Sequence, residues 1–247
     1  MRKLAPALAL CASLALPLAG CSSTPATPAS PAAKPDPAIA AALAAAVAKT
    51  TGVSLKVELS ASNGDHFFGA YDSASHAAAL QQAPGGAGVT ITVTPTDYYL
   101  TGPKTPKGET WHLAIARLRD ESSQTLLTVV LVPLTLLSKA TGVQSTKPGT
   151  FTGHVDATMV KGTTPGTQKF LDHVVKGGGT STKALVFVAT VDGHGYLSSF
   201  KTTLPNQATG WDLVYGLKFS DFGAGVNVVI PSGSKVVDAP DKAYATL

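Results

Sequence analysis

The sequence predicts an α+β protein built on one large antiparallel sheet, with helices packed against a single face. Beyond residue 52, most of the chain alternates apolar and polar residues in short segments separated by Gly, Asn, Asp or Pro turns, which is typical of strands. Two or three stretches instead repeat their apolar residues at helical spacing. Charged residues make up only 14% of the 247 residues, against about 25% in ordinary soluble domains, which indicates a large apolar interior.

The N-terminus predicts export. Residues 1–20, MRKLAPALALCASLALPLAG, begin with two basic residues and continue with an apolar stretch too short for a stable membrane span. The LAGC ending at 18–21 resembles the lipobox of bacterial lipoproteins, which implies a lipidated Cys21 and removal of residues 1–20. The alternative is an ordinary signal peptide followed by a chance cysteine. Two or more acyl chains on Cys21 would hold the protein on a membrane without spanning it.

Residues 21–37 predict a tether between this cysteine and a single domain at 38–247. The tether is rich in Pro, Ala, Ser and Thr and has no bulky apolar residue, so it cannot build a core. Removing Arg2 and Lys3 from the 19 basic residues leaves 17 against 15 acidic ones. This balance, and the lack of a basic run, argue against a nucleic-acid partner. The domain itself contains no cysteine, which excludes disulfides and thiolate metal sites.

The first half of the domain predicts one helix followed by a meander of strands. Asp36, Pro37 and Gly52 supply the start and stop signals of a helix over 37–51. Strands with one apolar face are predicted at 53–60, 66–72, 75–82, 88–96, 97–102 and 111–118. Their connections are short, which favours antiparallel neighbours.

An apolar run, LLTVVLVPLTLL at 126–137, interrupts this meander. Several of its residues lie at helical spacing: Leu127, Val130, Leu131, Leu134 and Leu137. Pro133 requires that the helix kinks or breaks there, or that it begins there after an extended segment. We favour a kinked or broken helix that Gly142 closes. The run is too short to span a membrane.

The second half predicts strands around one more helix. A strand at 149–160 precedes a helix that starts after Thr164, contains Phe170 and ends at Gly177. A hairpin over 184–204 turns at 192–195. A one-sided strand at 211–223, with Trp211 on its apolar face, and a short last strand at 225–231 complete the sheet.

No motif for catalysis or metal binding occurs in the sequence. The six histidines form no HxH, HxxxH or HExxH pair, and there is no G-x-S-x-G nucleophile elbow. Asp192 and His194 are flanked by glycines, which favours a hairpin turn over a metal pair. We therefore expect no enzyme, cofactor or metal site. A hydrolase whose site is assembled across the fold is a weaker alternative.

An apolar sheet face under an apolar helix is either a closed core or the wall of a cavity for acyl chains. Our candidate lining comprises inner-face strand residues and apolar helix residues: Val57, Leu59, Ile91, Leu127, Val130, Leu131, Leu134 and Phe170. Two long chains carry roughly 25–30 CH₂ groups, worth about 20 kcal/mol at about 0.8 kcal/mol each. Only a deep, almost wholly aliphatic cavity would offset that cost.

Several features occur in the order found in the actinobacterial LppX/LprG-type lipoproteins. They are the lipobox, the Ala-rich first helix running into VSLKVELS, DYYLTG before Trp111, LVPLTLLSKATGV, FTGHVD, VDGHGYLSSFKTTLP and FSDFGAGVNVVIP. This resemblance covers essentially the whole mature domain. It implies a LolA/LolB-like half-barrel, in which helices pack on the concave face of a curved antiparallel sheet and enclose a hydrophobic cavity.

The same resemblance implies a function. A protein of this kind would be a non-enzymatic lipoprotein, anchored on the extracytoplasmic face of the cell membrane. It would bind the acyl chains of a lipid or lipoglycan and carry them across the cell envelope, with a membrane transporter as a candidate partner. The alternative is an envelope interaction or sensor module of the same fold, with a filled core and no lipid cargo.

Overall fold

The computed structural model describes residues 36–118, 132–205, 210 and 212–246. The predicted signal peptide, Cys21 and the tether up to residue 35 lie outside these residues. So do three of the candidate lining residues and one predicted strand residue: Leu127, Val130, Leu131 and Trp211.

Within the described residues, twelve strands form one open sheet with the order β12-β6-β5-β4-β3-β2-β1-β11-β10-β9-β8-β7. The strands are β1 (Leu55–Ala61), β2 (His66–Asp72), β3 (Ala77–Gln82), β4 (Thr90–Val93), β5 (Asp97–Thr101), β6 (Thr110–Ala114), β7 (Ala140–Lys147), β8 (Thr150–Val155), β9 (Leu185–Val191), β10 (Leu197–Leu204), β11 (Leu213–Ser220) and β12 (Val236–Asp238). Neighbours are antiparallel except β12 and β6, which are parallel. The predicted large antiparallel sheet is confirmed, whereas the curvature of a half-barrel stays a prediction.

Two meanders build this sheet, joined where β1 pairs with β11. The first runs β1 to β6 through short turns, such as the one at Gly64, whose φ of +94° suits glycine. The second runs β7 to β11. Strand β1 shows the expected alternation, because Leu55, Val57 and Leu59 are buried while the residues between them are partly or fully exposed.

The first helix, α1 (Pro37–Thr51), starts and ends where the sequence predicts. Asp36 Oδ1 accepts a hydrogen bond from the N–H of Ala38 at 2.8 Å, and Gly52 follows the last turn. Near its C-terminus, the buried Thr50 hydroxyl donates to Ala46 O and accepts from the N–H of Leu197, both at 2.8 Å. This pair of bonds ties α1 to the start of β10.

Among the described residues, three further α-helices follow: α2 (Val132–Leu137), α3 (Pro165–Gly178) and α4 (Asp241–Thr246). The Thr164 hydroxyl caps α3 by accepting from the N–H of Thr167 at 3.2 Å, as the sequence predicts. Pro133 lies in the first turn of the described part of α2. The predicted kink or break before Pro133 falls on residues outside the described ones.

Two predictions about strands are wrong. Gly142, expected to close a helix, lies inside β7, an edge strand in which Val143 is the single buried residue; without alternation, β7 gave no strand signal. Residues 225–231 form no strand and expose Val229 and Ile230. They belong to the connection between β11, in the middle of the sheet, and β12 at its edge, so they do not run alongside a partner strand.

Buried residues of the strands and of all four helices join one hydrophobic cluster. Tyr98 and Tyr215 are among the largest fully buried side chains. Within the described part of the chain, the Tyr215 hydroxyl has no hydrogen-bond partner, and burial raises its pKa. The Tyr215 ring lies 6.3 Å from that of Phe170 on α3, measured between ring centroids. The core is thus mainly apolar, and the Tyr215 hydroxyl is a polar group within it that no described residue hydrogen-bonds.

Candidate functional site

A cavity of about 670 Å³ lies where β2, β3 and β4 meet α1, α2 and the start of α3. Seven of its described lining residues are apolar: Ala44, Val47, Ala48, Ala78, Val93, Pro95 and Leu134. The others carry a hydroxyl or an imidazole: Thr51, Tyr71, His76, Thr94, Thr135, Ser138, Thr163, Thr164 and Thr167. Its wall is therefore mixed, with apolar groups and uncharged hydrogen-bonding groups side by side.

Helix α1 contributes one face to this wall. Ala44, Val47, Ala48 and Thr51 have the spacing i, i+3, i+4 and i+7 that places side chains on one side of a helix. The alanines leave space that a larger side chain would occupy. The Thr51 hydroxyl donates to Val47 O at 2.8 Å, so its hydrogen-bonding requirement is met within the helix.

The sheet contributes a row of three residues on neighbouring strands. Tyr71 on β2 is the pairing partner of Ala78 on β3, and Ala78 is the partner of Val93 on β4. Paired residues point to the same face of a sheet, so the three side chains stand next to each other. The small Ala78 between two larger residues makes a depression in the sheet surface that forms part of the cavity.

The polar edge near the sheet is built by the turn between β2 and β3. His76 has a φ of +52°, which is uncommon for a residue other than glycine. Its Nδ1 lies 3.1 Å from the Tyr71 hydroxyl, and burial raises the pKa of Tyr71. Asp72 stabilises the turn by accepting from the N–H of Ala74 at 3.1 Å and from the Ser75 hydroxyl at 2.7 Å.

Helix α2 and the segment before α3 supply the opposite polar edge. Ser138 donates to Thr135 O at 2.6 Å, and the hydroxyls of Thr164 and Thr167 share a hydrogen bond of 2.9 Å. Among the described residues, neither the Thr135 hydroxyl nor the Thr163 hydroxyl makes a hydrogen bond. No Asp, Glu, Lys or Arg lines the cavity within this part of the chain. The arrangement can hold an aliphatic chain together with an uncharged polar group.

The candidate lining residues fall into three groups in the structure: cavity wall, filled core, and residues outside the described ones. Leu134 lines the cavity. Four others, Val57, Leu59, Ile91 and Phe170, are buried in the hydrophobic cluster and are not among the cavity residues. Leu127, Val130 and Leu131 lie outside the described residues. Sequence reasoning favoured large aliphatic residues in the middle of strands and missed Tyr71 and His76, which lie at strand ends.

A second polar cluster connects the C-terminal strand to the sheet. His112 Nε2 lies 2.8 Å from Asp97 Oδ1, and His112 Nδ1 lies 2.8 Å from Asp238 Oδ1. The hydrogen bonds to Asp238 and Asp97 raise the pKa of His112. Because these residues lie on β6, β5 and β12, the cluster stabilises the pairing of the short β12. In the described ranges, no group of three or more His, Cys, Asp or Glu could hold a metal ion.

The helices present in the described part of the chain are each too short or too polar to cross a membrane.

No family model and no curated protein matches this chain. Among solved structures, it is similar to the crystal structure of the LolA superfamily protein NE2245 from Nitrosomonas europaea. The identity is 10% and the TM-score 0.33, and the match covers 86% of this chain and 98% of that one. A TM-score this low assigns neither a fold family nor a function. The LppX/LprG-type membership and the LolA/LolB-like half-barrel therefore stay predictions.

Proposed function

We propose that this protein is a membrane-anchored, non-enzymatic carrier that binds a lipid acyl chain in the cavity between α1, α2 and β2–β4. The single observation behind the proposal is that cavity, whose volume of about 670 Å³ lies within the range of roughly 300–1,000 Å³ typical of small-ligand sites. The LAGC sequence at 18–21 supports an anchor at Cys21 on the extracytoplasmic face. The partners in this proposal are the membrane, the acylated ligand and a membrane transporter that delivers or receives it.

The cavity volume bounds the cargo. A methylene group occupies about the volume of a water molecule, roughly 30 Å³, so the cavity accommodates on the order of 20 such groups. A volume of this size favours one long chain over two. Transferring a chain of about 15 methylene groups from a bilayer costs roughly 12 kcal/mol, less than the roughly 20 kcal/mol of a two-chain lipid, so the mixed wall has a smaller cost to offset.

A second candidate function is an envelope interaction or sensor module without lipid cargo. It is favoured by the filled core under the middle of the sheet, where Val57, Leu59, Ile91 and Phe170 are all buried. The two functions differ in what the cavity does. A carrier requires a cavity that is free to accept a ligand, whereas an interaction module would function with the cavity filled by a side chain.

A cavity-filling substitution separates the two functions. Ala48 and Ala45 are both exposed on α1, but Ala48 lines the cavity and Ala45 is not among its described lining residues. Ala48→Trp places an indole in the cavity, and Ala45→Trp is its matched control because the change in helix propensity is the same. The assay is binding of a fluorescent 16-carbon acyl probe to the full-length protein, followed by lipid transfer between donor and acceptor vesicles.

We expect saturable binding of one probe per protein, weakened at least about tenfold by Ala48→Trp and unchanged by Ala45→Trp. Transfer between vesicles would decrease in the same order. If the native protein neither binds the probe nor transfers lipid, the carrier proposal is wrong and the interaction module is preferred. If Ala48→Trp binds as well as the native protein, the ligand does not occupy this cavity.

A further inference from the structure

We propose that the cavity selects single-chain lipids whose head group is uncharged and carries hydroxyl groups, as in a monoacylglycerol or an alkyl glycoside. This inference rests on the carrier function proposed above and adds the chemical class of the ligand. The charges, hydrogen bonds and backbone conformation of the residues around the cavity support this class of ligand.

The absence of charge on the wall disfavours an ionised head group. Among the described lining residues there is no Asp, Glu, Lys or Arg. Asp72, beside Tyr71, already accepts hydrogen bonds from its own turn. Lys139, beside Ser138, is exposed and does not line the cavity. A carboxylate or phosphate held here would lose hydration without gaining an ionic partner, which is costly.

Uncharged hydrogen-bonding groups approach the cavity from three elements. Helix α2 provides the Thr135 hydroxyl, the segment before α3 provides that of Thr163, and neither is hydrogen-bonded within the described residues. Ser138 donates to Thr135 O and keeps its acceptor lone pairs. A head group with several hydroxyls both donates and accepts, so it can satisfy these groups together. A bare hydrocarbon end would cover these groups without offering them a hydrogen bond.

His76, in the turn between β2 and β3, supplies the third hydrogen-bonding group, and its backbone is strained. Its φ of +52° is a conformation that glycine adopts far more readily. The residue is nevertheless a histidine, exposed at the cavity, with Nδ1 directed to the Tyr71 hydroxyl at 3.1 Å. Strained conformations of this kind cluster at ligand sites. The Tyr71 contact orients the ring, which leaves Nε2 to bond a ligand hydroxyl.

The test compares ligands that share a 16-carbon chain. Each competes with the fluorescent acyl probe on the full-length protein at pH 7.5: monopalmitoylglycerol, dipalmitoylglycerol, the palmitate ion and hexadecane. We expect monopalmitoylglycerol to bind at least about tenfold more tightly than the other three. Equal affinity for monopalmitoylglycerol and palmitate or hexadecane would overturn the head-group selectivity and leave the carrier function standing. Equal affinity for dipalmitoylglycerol would overturn the single-chain part, and no binding by any ligand would contradict both proposals.

Threonine-to-valine variants test which residues are responsible for the head-group selectivity. The double change Thr135→Val and Thr163→Val removes two hydroxyls with little change of shape, and Thr146→Val on the exposed edge strand β7 is its control. Each lost hydrogen bond to the head group corresponds to about a fivefold weaker affinity. For the double change we therefore expect about 25-fold weaker binding of monopalmitoylglycerol and no change for palmitate. An equal loss of affinity for both ligands would show that the two hydroxyls affect binding of the acyl chain and do not bind the head group.

His76→Gly distinguishes a binding role from a structural one. Glycine adopts the φ of this position without strain, which offsets the loss of the hydrogen bond to the Tyr71 hydroxyl, so we expect a nearly unchanged melting temperature together with about fivefold weaker binding of monopalmitoylglycerol. Weaker binding without a loss of stability is the signature of a residue kept for its ligand. Unchanged affinity in this variant would overturn the role of His76.

Discussion

Replacing Tyr215 with Phe should stabilise the protein. Tyr215 on β11 is only 2% exposed, and its hydroxyl has no hydrogen-bond partner among the described residues. A buried polar group without a partner costs about 1–3 kcal/mol. Tyr215→Phe removes the hydroxyl and keeps the ring beside Phe170, at a centroid distance of 6.3 Å. We therefore expect the free energy of unfolding to rise by about 1–3 kcal/mol.

The change is measured by thermal and urea denaturation of the full-length protein. For a domain of this size, 1 kcal/mol shifts the melting temperature by about 2–4 °C, so the rise should be about 2–12 °C. Tyr98→Phe is the matched control, because Tyr98 is as deeply buried but interacts with its surroundings. We expect this control to be destabilised or unchanged. A loss of stability in Tyr215→Phe would refute the reasoning, since it would mean that the hydroxyl is hydrogen-bonded.

Three further changes test other parts of the structure. Thr50→Val leaves the buried N–H of Leu197 without its acceptor, so the free energy of unfolding, measured in urea, should fall by about 1–3 kcal/mol. Hydrogen bonds to Asp238 and Asp97 raise the pKa of His112 in the folded state. The protonated imidazole therefore stabilises the fold fully below the ordinary pKa of 6.5, and this stabilisation is lost as the pH rises through the folded-state pKa. The melting temperature of the native protein should therefore decrease toward that of His112→Asn above about pH 6.5. Cys21→Ala should move the protein from the membrane fraction to the soluble fraction on an immunoblot.

Each of these changes has a control or an opposing result. Thr51 also donates to the carbonyl four residues earlier, at 2.8 Å, but is exposed, so Thr51→Val should leave stability almost unchanged. An equal loss in both threonine variants would contradict the role given to the Leu197 bond. A pH-independent difference between the native protein and His112→Asn would show that the imidazole does not titrate against its carboxylates. Continued membrane retention of Cys21→Ala would contradict the anchor.

Local signals in the sequence predicted many of the elements, because the features involved lie within a few residues of each other. Asp36, Pro37 and Gly52 bound α1, and Thr164 caps α3. The turn after β9 forms as predicted, with Asp192 Oδ1 accepting from the N–H groups of His194 and Tyr196, both at 2.9 Å. The order of the strands was less accessible, since the pairing of β1 with β11 joins residues from opposite ends of the domain.

The cavity could not be predicted for a different reason. Large aliphatic residues such as Val57 and Leu59 carry the strongest hydrophobic signal, but in the structure they fill the core. Space for a ligand is left instead by small residues, Ala44 and Ala48 on α1 and Ala78 on β3, which are distant in the sequence. Alanine and threonine are common in this chain, and nothing in their spacing distinguishes a cavity wall from an ordinary helix or strand.

Native mass spectrometry of the full-length protein, extracted from membranes in detergent, tests the central claim most directly. Covalent lipid on Cys21 remains in both the native and the denatured mass, so their difference is the mass of non-covalent cargo. We predict a difference equal to one single-chain lipid, absent from Ala48→Trp and present in Ala45→Trp. Identical native and denatured masses, together with no lipid transfer between vesicles, would contradict the account.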